Sequence, residues 1–225
     1  MGRAYPRIRS VLKGARMSSL PVPLRRVGIF VGGRGSRLGG VAKGNLELDG
    51  GGRLITRLAH TVSQAVPGVE VLLVGASGAY SDLGLRVLAD EPPGIGPLGG
   101  LRALLLEARA HGDDAVLALA CDLPHLEAGL VARLVREAPE ADFLAPRAGE
   151  LWHALVARYS VRALDAVDAA LAAGERALQR VIGRLGARAC ELAVNELERA
   201  ELHDWDTPED VERSKAYRPP GSVER

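Results

Sequence analysis

The stretch RRVGIFVGGRGSRLGGVAKG, residues 25–44, decides the fold. It opens with a short apolar run of strand length. Its second part, residues 31–44, holds six glycines, two arginines, one lysine and no acid. Glycines after a strand let backbone N–H groups turn towards a ligand without side-chain interference. Basic residues among them select an anion, and a polyphosphate matches that charge. The plainer alternative is a solvated surface loop with incidental arginines.

Working outward, residues 27–31 are the expected first strand. The runs VEVLLVG (69–75) and AVLALACD (115–122) are continuous and apolar, as parallel strands covered on both faces should be. LRVLAD (85–90) reads as a shorter strand. Leu54, Leu58 and Val62 repeat every four residues, which predicts a helix to about Ala65, ended by Pro67 and Gly68. EPPGIGPLGG (91–100) reads as a stiff loop, with a helix over residues 101–109 behind it. Leu126, Leu130, Val131, Leu134 and Val135 mark an amphipathic helix. DFLAP (142–146), HALVARY (153–159) and RACELAV (188–194) read as later strands, with helices through Leu171 and over ERALQRVIGRL (175–185) between the last two. DTPEDVERSK (206–215) is a helix start, with Asp206 or Thr207 as the cap and Pro208 in the first turn.

Alternating strands and helices imply an α/β fold: three layers, Rossmann-like, around a mostly parallel central sheet. In such sheets ligands bind beyond the carboxyl ends of the strands. The glycine loop, Asp90 and Asp122 each follow a predicted strand. They should therefore meet at one edge.

Composition narrows the function. The chain of 225 residues fits one domain of ordinary size. Residues 1–26 carry seven basic residues and no acid, which leaves 22 basic against 28 acidic residues in 27–225. The globular part is thus not a basic nucleic-acid binder. Residues 1–26 read as a disordered basic extension without the apolar segment of a secretory signal, and Met17 is a candidate true start. The domain is expected over 27–215, with a tail at 216–225. Cys121 and Cys190 read as two buried free thiols of a cytoplasmic protein. No apolar run is long enough to span a membrane. Arginine outnumbers lysine 26 to 3, and Lys43 is the only lysine within the globular part apart from Lys215 at its end. An ammonium kept inside a glycine loop suits a phosphate.

Two phosphate-binding signatures fail. A P-loop needs Ser or Thr after its lysine, and Gly44 stands there. A dinucleotide fingerprint beginning at Gly33 meets Leu38 where its third glycine belongs.

A third pattern fits. GG-x-x-x-R-L-GG-x-x-KG after the first strand, on Gly32, Gly33, Arg37, Leu38, Gly39, Gly40, Lys43 and Gly44, resembles the signature of nucleotidyltransferases. The closer resemblance is to molybdenum cofactor guanylyltransferases, the MobA family. GPLGGL (96–101), CDLP (121–124), HAL (153–155), AAGER (172–176) and DTPED (206–210) follow in the family's order. Four positions depart from its pattern: Ala42 replaces Asp before the lysine, Gly75 a strand-end Asn that can contact the base, Ala154 a proline after His153, and Asp206 an Asn.

The resemblance implies a nucleotidyltransferase fold and Mg²⁺-dependent transfer of GMP from GTP to molybdopterin-bound molybdenum, with pyrophosphate leaving. Arg37 and Lys43 would be catalytic, against the phosphates and the developing pyrophosphate. Phe30, Val31, Gly32, Gly33, Lys43, Asp90 and Asp122 would bind the nucleotide. Asp122 would hold the metal with Asp206, or with Asp204 beside it. The alternative for Asp122 is a helix cap, for Asp90 a solvated turn, and for His153 a half-buried structural role instead of contact with the acceptor. Trp152 and Trp205 read as packing residues. Molybdoenzymes or cofactor chaperones are further expected partners, and a monomer or weak homo-oligomer the expected state. Two other readings stay open. Gly75 and Asp206 suit a related transferase using CTP, UTP or another phosphorylated acceptor. Ala42 suits a nucleotide-binding regulator without turnover.

Overall fold

The computed structural model describes residues 24–32, 41–49, 51–75 and 78–216. The glycine-loop positions Gly33 and Arg37, the extension up to residue 23 and the tail from 217 lie outside the described residues.

Nine strands are seen among the described residues: β1 Arg26–Phe30, β2 Glu70–Val74, β3 Arg86–Leu88, β4 Ala115–Ala120, β5 Phe143–Ala145, β6 Arg147–Ala148, β7 Leu151–Trp152, β8 Val156–Ser160 and β9 Ala189–Glu191. Seven of them form one sheet in the order β3-β2-β1-β4-β8-β5-β9. All its pairings are parallel except those of β8, which runs antiparallel to both β4 and β5. β6 and β7 make a separate hairpin. The mostly parallel α/β sheet is as the sequence implied.

Helices cover both faces. Helix α1 (Leu54–Ala65) and α3 (Ala128–Arg136) lie on one side. Helices α2 (Pro97–Ala110), α4 (Leu164–Ala172) and α5 (Leu178–Leu185) lie on the other. Strand alternation divides the core between them. Val27 and Ile29 of β1 join Leu117 and Leu119 of β4 against α1 and α3. Phe30 joins Val116, Ala118 and Leu104 in the second cluster. Each fully buried Leu or Val here contributes roughly 1.5–3 kcal/mol relative to exposure. Gly28 lets α2 approach the sheet, since a Cβ there would lie 2.6 Å from Leu104 Cδ2.

Two helices differ from the sequence reading. Helix α2 starts at Pro97, so Gly99 and Gly100 belong to its first turns and not to a loop. Their missing side chains allow close packing: a Cβ on Gly99 would lie 2.6 Å from the Pro92 carbonyl, and one on Gly100 2.7 Å from Val74 Cγ1. The second difference is a short polar helix, α6 (Glu196–Glu201), which has no apolar stripe to announce it. A capping box holds it: Asn195 Oδ1 accepts the Glu198 N–H and Glu198 Oε2 accepts the Asn195 N–H, both at 3.0 Å. The last helix, α7 (Pro208–Ala216), begins where expected. Thr207 is its cap, with Oγ1 accepting the Asp210 N–H at 3.2 Å.

The strand ends set the level of the site. Phe30 is in register with Val74 and with Ala120, and Val74 with Leu88. Residues 31–32, 75, 90 and 122 therefore emerge along one edge. The chain leaves β1 for β2 and β3 on one side, then returns to β4 on the other. That reversal opens a crevice above β1, where such folds bind ligands.

Candidate active site

Lys43 opens a single turn of 3₁₀ helix, Lys43–Asn45, just beyond the glycine loop. Its side chain reaches the loop beyond β4. Nζ donates to Asp122 Oδ2 at 2.8 Å and also to Asp206 Oδ1. Asp122 stands two residues past β4. The first helix after it is capped at Glu127, so Asp122 does not serve as that cap. Asp206 comes from the loop between α6 and α7. The backbone fastens that loop to the β4 end: the Trp205 N–H donates to the Asp122 carbonyl at 2.9 Å. The cap reading of Asp206 gives way to Thr207, and its carboxylate faces Lys43.

The pairing has an electrostatic signature. Burial works against the Lys43 charge, but hydrogen bonds to Asp122 and then Asp206 outweigh it and hold the ammonium well above the ordinary lysine range. Asp204 completes the group. Partial desolvation, then repulsion from Asp122 and Asp206, pushes its carboxyl above the usual range. Carboxylate oxygens of Asp122, Asp204 and Asp206 all lie within 4.8 Å of one another. Such hard oxygen donors fit Mg²⁺, which prefers a few carboxylates completed by phosphates and water.

Asp90 lies deeper along the same edge. A Cβ added to Gly100 would meet its Oδ1 at 3.2 Å, and one added to Gly75 at 3.8 Å. Burial raises its carboxyl. Gly75 itself has φ +105, and a Cβ there would lie 3.1 Å from the Gly32 backbone. A side chain on Gly75 would therefore be strained by its backbone conformation and crowd Gly32, whereas one on Gly32 would meet only ordinary contact, 3.9 Å from Gly75 Cα.

The remaining expected residues sort by backbone and side chain. The Phe30 side chain is packed in the core on the α2 side, so only its backbone borders the crevice. The Val31 N–H is donated to the Val74 carbonyl at 2.9 Å, so Val31 does not offer that group to a nucleotide. His153 is half-buried, and burial followed by the nearby His203 lowers its imidazole. Trp152 packs edge-on to Phe143 at 5.3 Å with the Arg147 guanidinium 4.8 Å from its ring centroid, and Trp205 is buried; both serve packing. Cys121 is buried and Cys190 only partly so; both are free. Among the described residues no helix is long and apolar enough to cross a membrane.

One residue at the site escaped the sequence reading. Tyr80, in the turn Gly78–Leu83 after β2, is buried and accepts the Gly44 N–H on Oη at 3.1 Å. A lone tyrosine in a polar stretch carries no periodic or motif signal.

Known proteins resemble this chain in sequence and in fold. The sequence model of the MobA-like NTP transferase domain covers residues 27–189. The molybdenum cofactor guanylyltransferase of Pseudomonas fluorescens (strain SBW25) is 34% identical over 194 residues, which cover 83% of this chain and 92% of that protein. The enzyme of the same name from Cereibacter sphaeroides (strain ATCC 17029 / ATH 2.4.9) is 36% identical over 162 residues, 71% of this chain and 81% of that one. Among solved structures, molybdopterin-guanine dinucleotide biosynthesis protein A from Archaeoglobus fulgidus superposes with a TM-score of 0.66 at 22% identity, covering 85% of this chain and 97% of that one. The 2-C-methyl-D-erythritol 4-phosphate cytidylyltransferase of Thermus thermophilus gives 0.58 at 18% identity, over 84% and 96%. At these identities the two structures speak for the fold.

Proposed function

The chain belongs to the MobA-like NTP transferase family, and from that premise we propose that it transfers GMP from GTP to a molybdopterin-type acceptor. An acceptor phosphate oxygen attacks the α-phosphorus, the bond to the bridging oxygen of the β-phosphate breaks, and pyrophosphate leaves with that oxygen. The observation that carries this reading is the meeting of Lys43 with Asp122 and Asp206 at the strand-end crevice.

This step depends on placing groups in line and on stabilising charge, more than on acid–base chemistry. Lys43 brings a fixed ammonium to the β- and γ-phosphates. Two opposite unit charges ~4 Å apart attract by about 4 kcal/mol at an effective dielectric near 20. Arg37 is assigned the same task on the leaving pyrophosphate. Backbone N–H groups from Gly32 onward cradle the nucleotide, and Asp90 accepts from its hydroxyl or amino donors. Asp122 and Asp206, with Asp204 at hand, would hold Mg²⁺, which would supply charge neutralisation for the phosphate oxygens.

Gly75 favours a second reading, a related transferase with another base. Its positive φ and its contact with Gly32 leave no side-chain amide to read a base from this strand end. Pyrophosphate release measured with GTP, CTP, ATP and UTP, each with and without the molybdopterin acceptor, separates the readings. Release with GTP and that acceptor alone is expected. Release with CTP or UTP instead would move the protein to the second reading. Nucleotide binding without release from any of the four would refute both.

A further inference from the structure

The turn that carries Lys43 is fastened from one side by the turn that follows β2. Gly44 gives its N–H to Tyr80 Oη at 3.1 Å. Asn45 Nδ2 donates to the Ala79 carbonyl at 3.0 Å. Arg53 braces both partners, donating to Asn45 Oδ1 at 3.1 Å and to Asp82 Oδ2 at 2.6 Å. The fit beneath the turn is close. A Cβ on Gly44 would lie 3.0 Å from Tyr80 Oη and 3.1 Å from Ile55 Cβ.

We propose that Tyr80 is a positioning residue for Lys43, setting where its ammonium stands over the crevice. The proposal rests on the reading of Lys43 as the phosphate-binding lysine. The turn's own hydrogen bonds are few: Asn45 N–H to Ala42 C=O at 2.8 Å and Leu46 N–H to Lys43 C=O at 3.1 Å. Neither uses the N–H of Gly44, the residue next to the lysine. A buried N–H deprived of its acceptor costs more than the bond itself contributes, so the turn must shift to find another. The long lysine side chain passes such a shift to its end. Burial pushes the Tyr80 phenol up to about 12.

The test uses the whole protein and its small lysine count. Only three lysines are present in the chain, so ¹⁵N-labelled lysine gives three side-chain ammonium resonances at most. The Lys43 resonance is identified by its loss in Lys43→Arg. In Tyr80→Phe this resonance should move, and kcat for pyrophosphate release should fall about tenfold with KM for GTP held within about twofold. Tyr159→Phe is the control, since it too removes a buried hydroxyl, one that donates to Ala154 C=O at 2.9 Å; it should leave the Lys43 resonance in place. Asn45→Ala cuts the second tie and should move the same resonance, which keeps the test alive if Tyr80→Phe does not fold. A folded Tyr80→Phe protein with an unmoved Lys43 resonance, or with wild-type kcat, overturns the proposal. A wild-type protein that binds GTP and releases no pyrophosphate refutes the transferase reading instead, and the resonance then decides the positioning claim alone.

Discussion

Lys43 Nζ stands 2.8 Å from Asp122 Oδ2, although 79 residues separate the two along the chain. The lysine comes from the turn beyond the first strand's loop, the aspartate from the end of the fourth. Adjacent strands in perfect register bring them together. The pair is well shielded, with side chains 17% and 14% exposed. Removing either partner therefore leaves a poorly hydrated charge, and the effects should be large.

Asp122→Ala should reduce pyrophosphate release by more than about 10²-fold, because in the proposed mechanism it removes the charge that would hold the cation against the phosphates. Calorimetry should show that GTP binding no longer depends on Mg²⁺. A variant within threefold of wild type would remove Asp122 from the mechanism.

Lys43→Met should lower kcat roughly 10²-fold while circular dichroism stays that of the folded protein. It should also bind free Mn²⁺ more tightly than wild type does without nucleotide. The reason is that Asp122 and Asp206 are no longer neutralised by the ammonium. Titration followed by electron paramagnetic resonance reads this directly. Weaker Mn²⁺ binding in the variant would show that these carboxylates do not serve the cation.

Gly75→Ala should lower stability by roughly 1–2 kcal/mol, since φ +105 is costly for an L side chain and the new Cβ presses on Gly32 at 3.1 Å. Denaturant melts give the loss, and nucleotide affinity should fall with it. Wild-type stability would mean that the β1 and β2 ends can part at little cost.

Glu198 makes stability depend on pH. Burial works against its charge, but hydrogen bonds from Arg133 and the Asn195 N–H outweigh it and hold the carboxyl below the usual glutamate range. A depressed carboxylate stabilises the fold above its unfolded pKa, near 4.3, and that contribution is lost as pH falls through the lower folded value. Glu198→Gln should thus cost about 1 kcal/mol at pH 7, and the gap to wild type should close below about pH 4. Thermal melts across pH 3–7 check this. A gap that does not change with pH would assign the loss to packing.

The sheet was legible because its strands obey simple rules. The apolar runs at 69–75 and 115–122 read as strands covered on both faces, and residues 70–74 and 115–120 are strands of the central sheet. Position and motif together singled out the carboxylates at 122 and 206, and the structure brings these two to Lys43. Other features depend on tertiary contacts that a local reading does not contain. Gly99 and Gly100 look like loop residues until Pro92 and Val74 are seen to press on them. The strand at 156–160 gives no hint of running backwards. Its Arg158 is buried, with its guanidinium donating to carbonyls at the end of α3, among them Glu137 at 2.7 Å. Tyr80 matters only through a turn 36 residues away. Val31 looked free to hold a nucleotide because the sheet's claim on its N–H is invisible in sequence.

Asp206 sits in the loop that the Trp205 backbone ties to Asp122, far beyond the last strand of the sheet. The order of synthesis follows from that placement. The ribosome makes Lys43 and Asp122 well before it makes the partner that completes their group. A nascent chain stopped after residue 191 would already carry every strand described, yet hold only one of the three clustered carboxylates. The carboxylate cluster is thus completed only after every strand of the sheet has been made.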